Sequence, residues 1–107
     1  MPSALQSPDV YRAVSDPTRR QMLDLLRRGE RTASELAAPF DISQPAASQH
    51  LRVLRDAGIV IVRKEGRQRI YRLEPGPLRQ VFEWSQYFEK FWKQKLAALG
   101  RELDRTP

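Results

Sequence analysis

Gln44, Ser48, Gln49, Arg52 and Arg55, with Pro45 beside them, recur at spacings that put them on one side of a helix, and they end in amides, a hydroxyl and guanidinium groups. Such groups read base-pair edges in a major groove or hold phosphate oxygens. A glutamine presents donor and acceptor together, and an arginine can fork onto guanine. The helix that must carry them is legible at both ends. Ser43 is an N-cap residue, Pro45 falls in the first turn where its missing N–H costs little, and Gly58 supplies a left-handed residue that ends the helix. Wound at about 100° per residue, the span from Gln44 to Ala57 places Ala46, Ala47, His50, Leu51, Val53, Leu54 and Ala57 on the opposite, packing side. Small residues near its start allow close approach to a groove.

The flanking segments supply a frame for that helix. Ser7-Pro8-Asp9 reads as the start of a short helix with Tyr11, Val14 and Val10 as its apolar contacts, and Asp16-Pro17 starts another that runs to about Arg28, with Met22, Leu23, Leu25 and Leu26 inward. Thr32-Ala33-Ser34-Glu35 matches a capping box and predicts a short helix through Ala38, stopped by Pro39. That helix, a brief turn and the helix from Gln44 form a helix-turn-helix. Beyond Gly58 the period shortens: Ile59 to Arg63 and Gln68 to Leu73, separated by Glu65-Gly66, predict a β-hairpin. Its tip is basic, with Arg63, Lys64, Arg67, Arg69 and Arg72 against Glu65. After Pro75-Gly76-Pro77 a single helix is expected from Leu78 to Leu99 or beyond. The fold class is therefore mainly α with a small β-hairpin, a winged helix-turn-helix in the order α-α-α-α-β-β-α. Residues 1–6 are expected to form a flexible tail, and 7–107 one winged-helix domain that includes dimerisation helices at both ends.

In this arrangement the helix discriminates between bases and the wing supplies affinity. Arg55, Arg63, Lys64, Arg67 and Arg69 can reach phosphates or enter a narrow minor groove and release counterions, with Arg67 and Arg69 nearest the turn. The chain as a whole agrees, with 19 Lys+Arg against 13 Asp+Glu and a formal charge of +6 on 107 residues. The cations are mostly arginine, which suits bidentate contact with phosphate or guanine. The absence of cysteine excludes disulfides, thiolate metal sites and thiol redox sensing. No apolar run approaches the roughly 20 residues of a membrane span, so a cytoplasmic protein with no membrane partner is expected.

Three stretches, SDPTRRQMLDLL from Ser15, ASELAAPFDISQPAASQHLRVLRDAGIV from Ala33 and GRQRIYRL from Gly66, resemble the arsenical-resistance repressor (ArsR/SmtB-type) transcription factors of bacteria. Together they cover most of residues 8–73. The resemblance implies a dimeric winged-helix repressor whose first and last helices form the subunit interface, which would bring Tyr11 into it. It also implies that Gln44, Pro45, Ser48 and Gln49 lie nearest the DNA, on the face already derived. The sequence departs from the family's metal sensors. These carry paired cysteines in the helix that here reads ELAAPF, or Asp/His pairs on the last helix; neither is present, so no metal or cofactor is expected. The one histidine, His50, falls on the packing side and reads as a structural residue, with a base contact or a pH switch left open. No nucleophile has a base partner, and no enzyme is expected.

The last helix carries a second signal. Leu78, Val81, Phe82, Ser85, Phe88, Trp92, Leu96, Leu99 and Leu103 form one stripe, widened on one flank by Trp84, Tyr87 and Phe91. This is more apolar surface than one side of a terminal helix needs in so small a domain, so the stripe is expected to turn partly inward. The flank, with Trp84, Tyr87, Phe88, Phe91 and Trp92, is expected to meet a second copy. The sequence therefore points to a sequence-specific regulator that binds double-stranded DNA as a homodimer on a pseudo-palindromic operator. The alternatives are a winged-helix module for an acidic protein partner, or a sensor whose ligand or metal site is unrecognised. Whether a small-molecule inducer exists is not legible.

Overall fold

In a computed structural model of the chain, residues 8–105 are described, and the expected N-terminal tail and Ser7 cap lie outside them. Helix α1 (Pro8–Val14) is held by Val10 and Ala13, both fully buried, while Tyr11 faces outward. Tyr11 stays outside the core and meets Trp84 near the chain's C-terminal end instead. Helix α2 (Pro17–Arg27) starts where Asp16 accepts the Arg19 N–H at 3.0 Å, and it buries Met22, Leu23 and Leu26. An N-cap of this kind satisfies one of the orphan donors of the first turn and is worth about 1 kcal/mol.

Strand β1 (Arg31–Thr32) and helix α3 (Ala33–Ala37) follow. The expected capping box is present: Glu35 N–H donates to Thr32 Oγ1 at 3.2 Å, and Thr32 N–H donates to Glu35 Oε1 at 2.8 Å. Helix α4 (Gln44–Asp56) starts as expected, with Ser43 Oγ accepting the Ala46 N–H at 3.2 Å. Ala47, Leu51 and Leu54 are buried along it, and Ala57 is buried at its C-cap. Gly58 then takes φ +78°, a left-handed value at which a Cβ is strained. Strands β2 (Val60–Glu65) and β3 (Gln68–Leu73) form the wing, paired from Val60↔Leu73 to Glu65↔Gln68, with Gly66 at φ +64° in the turn.

Two features differ from the sequence expectation. The hairpin belongs to a three-stranded antiparallel sheet in the order β1-β3-β2, because Arg31 and Thr32 pair with Tyr71 and Ile70. A two-residue strand is too short for its period to show in the sequence. The terminal helix is also not continuous. A 3₁₀ turn (Gly76–Leu78) leads into α5 (Arg79–Gln86), and α6 (Glu89–Arg105) starts after a break at Tyr87 and Phe88. Three-residue bonds mark that break, from Tyr87 N to Trp84 O at 3.2 Å and from Phe88 N to Ser85 O at 3.0 Å. Just ahead of it, Ser85 Oγ bonds back to the Phe82 carbonyl at 2.7 Å, a contact that bends helices. The break contains neither glycine nor proline, so the sequence gives no warning of it.

All the helices except the α5–α6 arm close around one core, in which Val10, Met22, Leu36, Leu54, Ile59 and Val60 are completely enclosed. Leu54 lies where α4 meets that core, so its truncation tests whether α4 is displayed by packing. Leu54→Ala should lower the unfolding free energy by about 2–5 kcal/mol in a urea titration. A loss below about 0.5 kcal/mol, the usual range for surface sites, would contradict the burial of this side chain.

Candidate nucleic-acid interface

Burial of one side of α4 leaves the other side free. Gln44, Pro45, Ser48, Gln49, Arg52 and Arg55 are all exposed, and they lie on the face that the helical period assigns them. Among the described residues the side chains of Gln44, Ser48 and Gln49 have no hydrogen-bond partner within the chain. Arg52 has only a loose one, Asp56 at 4.0 Å, and its side chain is 70% exposed. Amide and hydroxyl groups held on a packed helix but unspent internally are available for base edges.

The opposite face of α4 is held by a polar contact as well as by leucines. Arg19 Nε donates to the Ala13 carbonyl and Nη2 to the Arg12 carbonyl, both at 2.9 Å, which satisfies the end of α1. Arg20 adds a third such bond, from Nη1 to the Val14 carbonyl at 2.8 Å. The remaining guanidinium nitrogen, Arg19 Nη1, lies 3.1 Å from His50 Nδ1 on α4. Guanidinium has no acceptor, so a hydrogen bond across this distance requires Nδ1 to accept. His50 thus lies on the packing side of α4, as the helical period implied, with its ring against α2. The Asp16 carboxylate, 3.9 Å from the same nitrogen, is held below its ordinary range, chiefly by the backbone N–H of Arg19. Sequence reasoning took Asp16-Pro17-Thr18-Arg19 only as a helix start. The partner of Arg19 lies 31 residues away, and no local pattern announces it.

The wing sorts its cations by face. Residues directly opposite in an antiparallel pair share a face, so Arg63 and Arg72 lie on one side, and Lys64 and Arg69 on the other with Val62 and Tyr71. On the first side the charges are matched. Arg63 Nη1 donates to Glu30 at 2.8 Å and Nη2 to Glu65 at 3.0 Å, and Arg72 lies 3.9 Å from Glu74. Arg63 thereby keeps the Glu30 carboxyl below its ordinary range. The sequence counted only Glu65 near the wing and missed Glu30, which the turn after α2 brings back beside β2. On the second side, among the described residues, Lys64 and Arg69 face each other without a carboxylate partner, and Arg67 at the turn likewise has none. Like charges directly across a strand pair are unfavourable unless an anion lies between them.

The third cluster is the α5–α6 arm, and here the sequence expectation needs correction. Only Leu78 and Val81 pack against the core. Phe82, on α5, and Phe88, Trp92, Leu96, Leu99 and Leu103, at or beyond the break at Tyr87 and Phe88, are exposed and do not turn inward. Trp84, Tyr87 and Phe91 are exposed as well, so the large apolar residues on the arm range from 42% exposed at Phe88 to 79% at Tyr87. Tyr11 joins this surface to α1. Its hydroxyl donates to the Gln80 carbonyl at 3.3 Å, its ring meets Trp84 edge-on at 6.3 Å, and Trp84 meets Phe88 at 5.2 Å. Trp84, Ser85, Phe88, Phe91, Trp92 and Lys95 line an apolar groove of about 430 Å³.

Among the described residues no group of three or more His, Asp or Glu side chains is arranged to hold a metal ion, and no helix is long and apolar enough to cross a membrane. A winged helix-turn-helix with a free polar face on its second helix defines a class of regulatory proteins. The sequence pattern of the family described as "Bacterial regulatory protein, arsR family" matches residues 16–62. The chain is 35% identical over 103 residues to "HTH-type transcriptional regulator Rv2034" of Mycobacterium tuberculosis, a match that covers 95% of this chain and 94% of that protein. It is 40% identical over 76 residues to "Transcriptional repressor SdpR" of Bacillus subtilis, covering 71% of this chain and 84% of the relative. The solution structure of the homodimeric winged helix-turn-helix DNA-binding domain Mb0332 from Mycobacterium bovis superposes with a TM-score of 0.65 at 31% identity, covering 82% of this chain and 83% of that one. The chain belongs to the arsR family of bacterial regulatory proteins, a family of regulators rather than of enzymes.

The pairing of Arg63 with Glu30 can be checked directly. A carboxylate whose folded value is depressed contributes stability that is present at neutral pH and lost as pH falls through the folded value. Both side chains are about half exposed, so the contribution is small. The titration itself is the sharper readout. In Arg63→Ala the Glu30 side-chain carbonyl carbon should titrate at higher pH by NMR than in the parent, and an unchanged titration would show that the pair does not persist in solution.

Proposed function

We propose that this protein is a transcriptional repressor that binds DNA sequence-specifically as a homodimer, on an operator with two-fold pseudo-symmetry, in the cytoplasm. The observation that carries this reading is the unspent polar face of α4 beside three unpaired wing cations. Gln44, Pro45, Ser48, Gln49 and Arg52 are the base-reading group. Arg55, Lys64, Arg67 and Arg69 meet phosphates or the minor groove. Arg63, engaged by Glu30 and Glu65, is a weaker candidate for the backbone than its neighbours. Tyr11, Trp84, Tyr87, Phe88, Phe91 and Trp92 form the subunit interface. The homodimeric state of the Mycobacterium bovis domain and the repressor name of the Bacillus subtilis relative support this reading. Residues 7–107 work as one winged-helix unit, with no metal or cofactor assigned to them.

The test is selection of duplexes from genomic fragments with the purified protein, followed by affinity measurements over a range of salt. Gln49→Ala should lose roughly 1–3 kcal/mol on the selected duplex and far less on random DNA. The triple change of Lys64, Arg67 and Arg69 to Ala should weaken binding to both. It should also flatten the log–log salt slope by about one unit for each phosphate that is no longer neutralised, whereas Arg63→Ala should leave the slope near the parental value. Equal losses for Gln49→Ala on both duplexes would contradict direct readout. Failure to select any duplex would favour a winged-helix module for an acidic protein partner.

A further inference from the structure

Arg19, on α2, hydrogen-bonds both the end of α1 and the recognition helix α4. Its guanidinium holds the Arg12 and Ala13 carbonyls at 2.9 Å and His50 Nδ1 at 3.1 Å, and its backbone N–H is bound by Asp16 at 3.0 Å. A planar fork with fixed donor directions can serve three acceptors on two other elements at once, whereas an ammonium is a point donor. We propose that Arg19 is a positioning residue for DNA recognition: through His50 it sets the rotation and depth of α4, and thereby where Gln49 and Ser48 meet the groove. This rests on the DNA-binding reading given above.

The contact is sensitive to the protonation of His50. Among the described residues the charged groups that face the ring are Arg19 and Asp16; α1 contributes backbone carbonyls already held by Arg19, and α3 and β2 contribute no charged partner to it. With Nδ1 unprotonated the imidazole can accept from Arg19 across the 3.1 Å that separates them. A proton on Nδ1 removes that acceptor, sets a second cation against the guanidinium and turns the ring toward the Asp16 carboxylate at 3.9 Å. The two arrangements exclude one another, because one nitrogen cannot accept from Arg19 and donate to Asp16 together. His50 is one residue from Gln49 and two from Ser48, so a change in ring partner is transmitted within half a turn to the reading face.

The test compares the parent with Arg19→Lys, His50→Leu and His50→Asn, whose side-chain oxygen stands close to the Nδ1 position. The probes are the duplex that the parent selects from a random pool and an unselected duplex of the same length. Arg19→Lys and His50→Leu should each lose about tenfold or more in affinity for the selected duplex, with less than about twofold change on the unselected one, whose binding is mainly electrostatic. His50→Asn should retain most of the affinity. Acidification from about pH 7.5 to 5.5, the range in which a histidine titrates, should weaken the parent relative to His50→Asn on the selected duplex only. Thermal unfolding identifies folded variants, and the His50→Asn comparison keeps the proposal open to refutation should Arg19→Lys unfold. Parental affinity in folded Arg19→Lys, equal losses on both duplexes, or a parent and His50→Asn with the same pH profile would each overturn the proposal. A parent that selects no duplex would overturn the DNA-binding reading itself, and this one with it.

Discussion

The uncovered apolar face of α5 and α6 is the constraint on which the rest of the structure depends. Nine large apolar side chains, from Phe82 to Leu103, stand on this arm and the turn within it, and each is at least 42% exposed. Water opposes such exposure at about 25 cal/mol per Å² of apolar area, and a contiguous patch of this kind is normal only where something covers it. The core offers no room, because the enclosed space beneath α1, α2 and α4 is already filled by Met22, Leu36, Leu54 and Ile59. In the proposed reading a second copy of the chain would supply the complementary cover, and a two-fold interface would then fix where each α4 points.

From that arm a short series of contacts leads to the reading face. Phe88 touches Trp84, Trp84 touches Tyr11 on α1, and the carbonyl end of α1 is held by Arg19, which in turn holds His50 on α4. Helix α1 thus lies between the surface that would pair subunits and the helix that would read DNA. It is only seven residues long, so packing and end-capping rather than intrinsic propensity keep it folded. The wing follows the same economy of charge: Arg63 and Arg72 are spent on holding the hairpin to the turn at Glu30 and to Glu74, while Lys64, Arg67 and Arg69 remain without acids.

Much of this was legible in the sequence, for a definite reason. The caps at Asp16, Thr32 and Ser43 and the glycines at 58 and 66 act over three or four residues, and signals of that range survive in a linear reading. The period of α4 likewise separated Leu51 and Leu54 from Gln44 and Gln49. Contacts that close over long stretches of chain were not legible. Arg19 with His50, Arg63 with Glu30, and β1 with β3 join residues that only the tertiary fold brings together. The break at Tyr87 and Phe88 escaped for another reason: it contains no helix-breaking residue, and the Ser85 bond to the Phe82 carbonyl just ahead of it leaves no mark in the sequence. The stripe expected to turn partly inward does so only at Leu78 and Val81, and the rest of its large apolar residues are exposed.

The central claim is that paired arms present two α4 helices at the spacing of one DNA turn. The chain contains no cysteine, so Ser48→Cys gives a single nitroxide site on the reading face of each subunit. Pulsed electron–electron resonance on this variant in solution should give an inter-subunit distance centred at roughly 34–36 Å, broadened by the label linkers. That signal should vanish when Tyr87 and Phe91 are both changed to Glu in a chain that remains folded. A monomer without any such distance, or a distance unaltered by loss of the aromatic flank, would contradict the account.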